Sequence, residues 1–119
     1  MLPHGLQARD RLRHPREFRR VKERGKRYRT RHFLINSVGS QLPHHRLGMV
    51  VQKRFWNAVK RNRIKRCLRE FFRHNKGHLG LSPQDVVIIA LPGAEQLRPA
   101  EIAAEILEVL TKKEERSSC

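Results

Sequence analysis

Residues 46–74, RLGMVVQKRFWNAVKRNRIKRCLREFFRH, decide how this chain is read, because the hydrophobic pattern changes within them. Arg46 to Lys53 (RLGMVVQK) predicts a strand. Asn57 to about His74 predicts a helix instead: at about 100° per residue, Ile64, Cys67, Leu68 and Phe71 fall on one side, with Phe72 at its edge. Asn62, Arg66, Arg69 and Arg73 line the opposite side, and Arg61, Lys65 and Arg69 form an adjoining row four residues apart. Like charges at that spacing repel by about 0.2–0.5 kcal/mol per pair, and few acids stand near to offset them. A solvated helix face is the bland reading, and a phosphate partner is the one that removes the penalty. Asn62 is a poor helix former whose amide can both donate to and accept from a sugar, base or phosphate.

Around this segment the pattern is mixed. Pro15 opens a first helix that Gly25 closes, with Phe18 and Val21 on one face, after a basic arm over residues 1–13. Lys26 to Arg31 is a basic stretch. His32 to Val38 alternates Leu34 and Val38 against Phe33 and Ile35, and predicts a strand whose hairpin partner, across the turn at Gly39 to His45, is Arg46 to Lys53. Asp85 to Leu91 is a β-branched run suited to a buried strand, ended by Pro92 and Gly93. Pro99 opens a last helix carrying Ile102, Ile106, Val109 and Leu110, and the end of the chain, 114–119, reads as a frayed tail. This is an α+β arrangement around one sheet, a single domain over 1–119. The expected core includes Phe33, Ile35, Met49, Val51, Phe71, Ile88, Ile102 and Ile106.

The 27 Lys and Arg against 11 Asp and Glu give a net charge of +16, which points to a polyanionic partner. Residues 1–84 carry +19 and residues 85–119 carry −3, so the first two thirds would face that partner. No apolar run approaches the roughly 20 residues of a membrane span, and a cytoplasmic protein without membrane contact is expected. Two cysteines, Cys67 and Cys119, make neither a disulfide framework nor zinc spacing. The seven histidines lack metal-ligand spacing, and Asp10, Glu17, Glu23 and Glu70 are the only acids of residues 1–84, too few for a two-metal nuclease site.

Arg61-Asn62-Arg63-Ile64-Lys65-Arg66 with Arg69, preceded by Asn57-Ala58-Val59, resembles the signature of the bacterial ribonuclease P protein family. Arg11-Leu12, Phe18, Val21 and Gly25, then Arg46 and Gly48, then Asp85 to Ala90 extend the resemblance over nearly the whole chain. It implies an α-β-β-β-α-β-α sandwich with a central four-stranded sheet and a left-handed βαβ crossover. It also implies an accessory subunit, monomeric in a one-to-one particle, that binds a catalytic RNA and the 5′ leader of precursor tRNA. The RNA performs the endonucleolytic cleavage, with Mg2+ held by RNA and substrate. Carried over by position, Lys53, Arg54, Arg61, Asn62, Arg63, Lys65, Arg66 and Arg69 would face the RNA subunit. Phe18, Leu34, Asn36, Val50 and Gln52 would line a cleft for the leader, where stacking and backbone charge suffice for a variable sequence. A purely structural RNA-binding protein, such as a ribosomal protein, is the alternative.

Some positions depart from the family pattern. Lys22 and Asn36 stand where aromatics are usual, so stacking there would give way to charge and hydrogen bonds. Trp56, preceded by Phe55, stands where a glycine is usual, and a positive φ would strain it. Trp56 either offers a stacking surface or packs on the start of the helix.

Overall fold

The computed structural model describes residues 8–75 and 82–117, with side chains described as far as Leu110. Helix α1 (Pro15–Arg24) is followed by strands β1 (Lys26–Arg29), β2 (Phe33–Gly39) and β3 (Arg46–Val50), helix α2 (Ala58–Asn75), strand β4 (Gln84–Ala90) and helix α3 (Pro99–Ser117). The sheet has the order β1-β2-β4-β3, with β3 and β4 parallel and the other neighbours antiparallel. This is the α+β architecture expected from the sequence, with α2 as the crossover between two adjacent parallel strands.

The strand pairing corrects the expected hairpin. The Arg46 strand does not pair with the His32 strand, because β4 lies between them. Val86, Val87 and Ile88 are all buried, and a strand apolar on both faces belongs in the middle of a sheet. The basic stretch after Gly25 contributes β1, paired from Lys26↔Ser37 to Arg29↔Leu34. Its KRYR sequence has the charged character of an edge strand. β3 stops at Val50, short of the expected Lys53.

Alternation in the strands sends side chains to two unequal layers. Phe33, Ile35, Leu47, Val86, Ile88 and Ala90 face α2 and α3, where they pack with Ile64, Leu68, Phe72, Ile102 and Ile106. The expected core residues are all part of this cluster, Met49 only partly buried, while Phe72 is fully buried and not at an edge. Each such side chain contributes about 1.5–3 kcal/mol through burial. The other face carries a smaller cluster, Leu12, Val21 and Val87, with Phe18, Val38, Val50 and Ile89 packed against it.

Helix α1 starts with a reciprocal cap. The His14 ring accepts from the Arg16 N–H, and Glu17 accepts from the His14 N–H. Gly25 ends the helix through close approach, since a Cβ there would lie 2.4 Å from the Val21 carbonyl oxygen and 2.7 Å from that of Ser37. The described part of the expected basic arm is docked: the Leu12 N–H donates to the Leu47 carbonyl at 2.9 Å, Arg11 bridges to Leu47, and Leu12 is buried. Leu12 and the buried Asp10 anchor it together with these backbone contacts. At the other end α3 runs to Ser117 and takes in most of the expected tail.

Candidate nucleic-acid interface

Two surfaces gather the residues singled out in the sequence. The first is the outer side of α2. Ile64, Cys67, Leu68, Phe71 and Phe72 bury one side of the helix, leaving Asn62 and Arg66 exposed and Arg61, Lys65 and Arg69 half-buried. The one acid of the helix, Glu70, is engaged by Arg73 at 2.9 Å and His74 at 3.1 Å, and these partners lower its pKa. Burial, reinforced by the charges of Arg11 and Arg66, pushes the Arg69 guanidinium below its usual pKa. The Nε groups of Arg11 and Arg61 are buried without a hydrogen-bond partner in the protein. Buried donors of this kind are costly until an acceptor arrives. Arg11 is the member of this cluster that sequence reasoning missed; Leu12 beside it was the available signal that the segment is docked. Arg63 behaves differently from its neighbours, donating to the carbonyls of Glu95 at 3.3 Å and Leu97 at 2.8 Å, and so ties α2 to the 3-10 turn at Ala94–Gln96.

The second surface is the part of the sheet beside α1. Register places Arg29, Leu34, Ile89 and Val50 in one row across β1, β2, β4 and β3. At about 4.8 Å between strands this row is roughly 14 Å long. Leu34, Ile89 and Val50 are half-buried and Arg29 is exposed. The next row holds Arg27, Asn36, Val87 and Gly48. Phe18 of α1 stands over Gly48, where a Cβ would come within 2.7 Å of the ring. Phe18, Leu34 and Val50 therefore border one surface. Gln52 follows in the turn after β3, where its carbonyl accepts from the Phe55 N–H. Asn36 is only 2% exposed, and its Oδ1 accepts from Arg27 Nε at 3.2 Å. The group presented to solvent at that point is thus the Arg27 side chain. Arg27, Arg29 and Ile89 were not singled out in the sequence, because the row becomes visible only once 26–29 is known to be a strand.

The loop between β3 and α2 settles the alternatives at Trp56. The residue is 6% exposed, belongs to the main core and donates from Nε1 to Glu95 at 2.8 Å. That hydrogen bond holds the Glu95 carboxyl below its usual range. No non-glycine residue has a positive φ among the described residues, so Trp56 is unstrained and offers no stacking surface. Lys53 and Arg54 are exposed beside it, with the Arg54 guanidinium 4.6 Å above the Phe55 ring.

Under α1 a chain of ion pairs sets the frame. Arg46 pairs with Glu17 and with the buried Asp85, and Arg20 donates to Asp85 at 2.9 Å and to the Gly39 carbonyl at 3.2 Å. The Asp85 hydrogen bonds raise the Arg46 pKa, whereas at Glu17 burial opposes ionisation and is outweighed by the His14 N–H and Arg46. These acids are therefore committed to arginines. Among the described residues no group of three or more His, Cys, Asp or Glu could hold a metal ion, and no helix is long and apolar enough to cross a membrane.

Comparison with known proteins bears on the family and the fold. The sequence model of the family Ribonuclease P matches residues 6–114. The ribonuclease P protein component of Syntrophobacter fumaroxidans is 49% identical over 107 residues, covering 90% of this chain and 90% of that protein. That of Syntrophus aciditrophicus is 44% identical over 108 residues, covering 91% and 90%. Among solved structures, the RNase P protein of Staphylococcus aureus superposes with a TM-score of 0.78 at 30% identity, covering 87% of this chain and 94% of that one. The RNase P protein of Thermotoga maritima gives 0.76 at 29% identity, covering 86% and 96%.

Proposed function

The chain belongs to the ribonuclease P protein family, and from that premise we propose that it is the accessory subunit of a ribonucleoprotein that removes the 5′ leader of precursor tRNA. The observation that carries this reading is the outer side of α2, where Arg11, Arg66 and Arg69 crowd together and buried Nε donors lack acceptors. Phosphate oxygens of a folded RNA supply both the missing charge and the missing acceptors. Arg61, Asn62, Lys65, Arg66 and Arg69, with Lys53 and Arg54, would face the RNA subunit, and Arg63 would fix the helix that presents them.

The row Arg29, Leu34, Ile89 and Val50, with Phe18 over Gly48 in the row beside it, suits a single strand. Apolar floor and aromatic edge take bases of any sequence, while Arg27 and Arg29 take the backbone. Precursor tRNA would be bound there through its leader, with Gln52 at one end and the Arg27–Asn36 pair at the other. The protein contributes binding and orientation. The acids beneath α1 are neutralised by arginines, so they offer no hydrolytic centre, and Mg2+ would be held by the RNA and the substrate. A one-to-one particle in the cytoplasm is the corresponding assembly.

Reconstitution with a bacterial ribonuclease P RNA tests this reading. At limiting Mg2+ the protein is expected to restore 5′ leader removal by the RNA, and protein alone is expected to leave precursor tRNA intact. Robust cleavage by RNA-free protein would overturn it.

A further inference from the structure

Phe55 is a large apolar side chain that the fold leaves in solvent, 37% exposed, within a basic surface. Its position is fixed from behind. The ring meets Trp56 edge to face, with centroids 5.6 Å apart, and Trp56 is itself locked by burial and its hydrogen bond to Glu95. In the first turn of α2, Val59 is 78% exposed, and three and seven residues further on stand Asn62 and Arg66, so Val59 belongs to the same outer stripe of the helix. Lys53, Arg54 and Lys60, their neighbours in the chain, add exposed positive charge.

We propose that Phe55 is a stacking platform for one unpaired nucleobase of the RNA subunit, with Val59 exposed in the adjoining first turn of α2. This rests on the reading that the outer side of α2 binds that RNA, with which the spot is continuous. A second copy of this chain is a poor occupant, since it would bring another +16 against the same lysines and arginines. Glu95, the nearby acid, is already engaged by Trp56 and the Gly93 N–H. A nucleobase arrives with its own phosphate. The Arg54 guanidinium carbon lies 4.6 Å from the Phe55 ring centroid, so a face of the ring is open to a partner. An exposed cation–π contact is weaker than a base stacked on an aromatic ring, so the base displaces the guanidinium, which is then free to take the phosphate of the same nucleotide.

The experiment is binding of the full-length chain to ribonuclease P RNA without substrate, comparing wild type, Phe55→Ala, Phe55→Leu, Phe55→Tyr and Arg66→Ala. Stacking on an aromatic ring is worth roughly 5- to 150-fold in affinity. Phe55→Ala and Phe55→Leu should each weaken binding at least about 5-fold, and Phe55→Tyr should bind as wild type. The single tryptophan gives a second reading, since emission from Trp56 should change on RNA addition in the wild type and much less in Phe55→Leu. Equal affinity for wild type and Phe55→Leu, with Arg66→Ala weakened, overturns the platform and leaves the α2 interface standing. If Arg66→Ala also binds as wild type, the α2 reading itself falls. Concentration-dependent dimerisation that Phe55→Ala abolishes would assign the spot to a second copy and overturn the proposal.

Discussion

Arg46 holds the buried Asp85 carboxylate with a two-pronged grip, Nε to Oδ1 at 3.0 Å and a terminal guanidinium nitrogen to Oδ2 at 2.9 Å. The pair joins neighbouring positions of β3 and β4, and Arg20 brings α1 to the same carboxylate. Asp85→Asn should therefore destabilise the fold by about 1.5–3 kcal/mol, because Arg20 loses its counter-ion and Arg46 keeps only Glu17. Thermal unfolding of the variant checks this. Arg46→Lys should recover little of the stability that Arg46→Ala removes, since an ammonium cannot reproduce the fork.

Arg61→Ala and Arg66→Ala should weaken binding to the RNA subunit and leave circular dichroism and melting temperature nearly unchanged. Both side chains lie off the apolar side of α2, and their removal relieves like-charge repulsion. The slope of log Kd against log salt should fall by about 0.7–0.9 for each phosphate that is no longer neutralised. An unfolded Arg66→Ala protein would make the ridge a structural element.

Gly48→Ala probes the leader surface without touching a charge. The added Cβ would come within 2.7 Å of the far end of the Phe18 ring, so the ring must swing away from β3. Precursor tRNA with a leader of several nucleotides should bind the reconstituted particle about 5-fold or more less tightly, and mature tRNA about as before. Phe18→Leu should give the same pattern. Equal weakening for both tRNAs would remove Phe18 from the leader surface.

Acid should loosen the attachment of α3 to the start of β2. Glu105 accepts from the Thr30 hydroxyl and from the backbone and ring of His32. Burial works against the carboxylate, but these donors outweigh it and the pKa lies below the ordinary 4.5. A depressed carboxyl stabilises the fold above its unfolded pKa, and that contribution disappears as pH falls from about 4.5 through the folded value. Glu105→Gln should flatten melting temperature against pH over this acid range while lowering stability at neutral pH. An unchanged pH profile would show that Glu105 is not the sensor.

The two sides of α2 were legible in the sequence because one helix of period 3.6 separates Ile64, Cys67, Leu68 and Phe71 from Asn62 and Arg66 without reference to the rest of the chain. Strand pairing was not. Nothing local to 32–53 says that residues 84–90 will come between its two strands, and KRYR lacks the apolar alternation that marks a strand. Arg63 looks like its neighbours in any helical projection, and its attachment to the Glu95 and Leu97 carbonyls depends on a turn more than thirty residues away. Phe18, Leu34 and Val50 came from family resemblance, whereas Ile89 and Arg29 required the register. Trp56 was open between two environments because both satisfy an indole, and the Glu95 carboxylate decides for the buried one.

The place of β4 in the sheet also sets the order in which the protein can assemble during synthesis. β2 and β3 are made early, yet each takes β4 as its neighbour, so neither completes its pairing until residues 84–90 have left the ribosome. Pairings this distant in sequence form late. By residue 83 the nascent chain carries a charge of +19 with its apolar helix side uncovered. A polypeptide released at residue 83 would hold the complete basic segment of α2 and no completed sheet to support it. Only a chain that includes β4 can present that helix as a rigid surface to RNA.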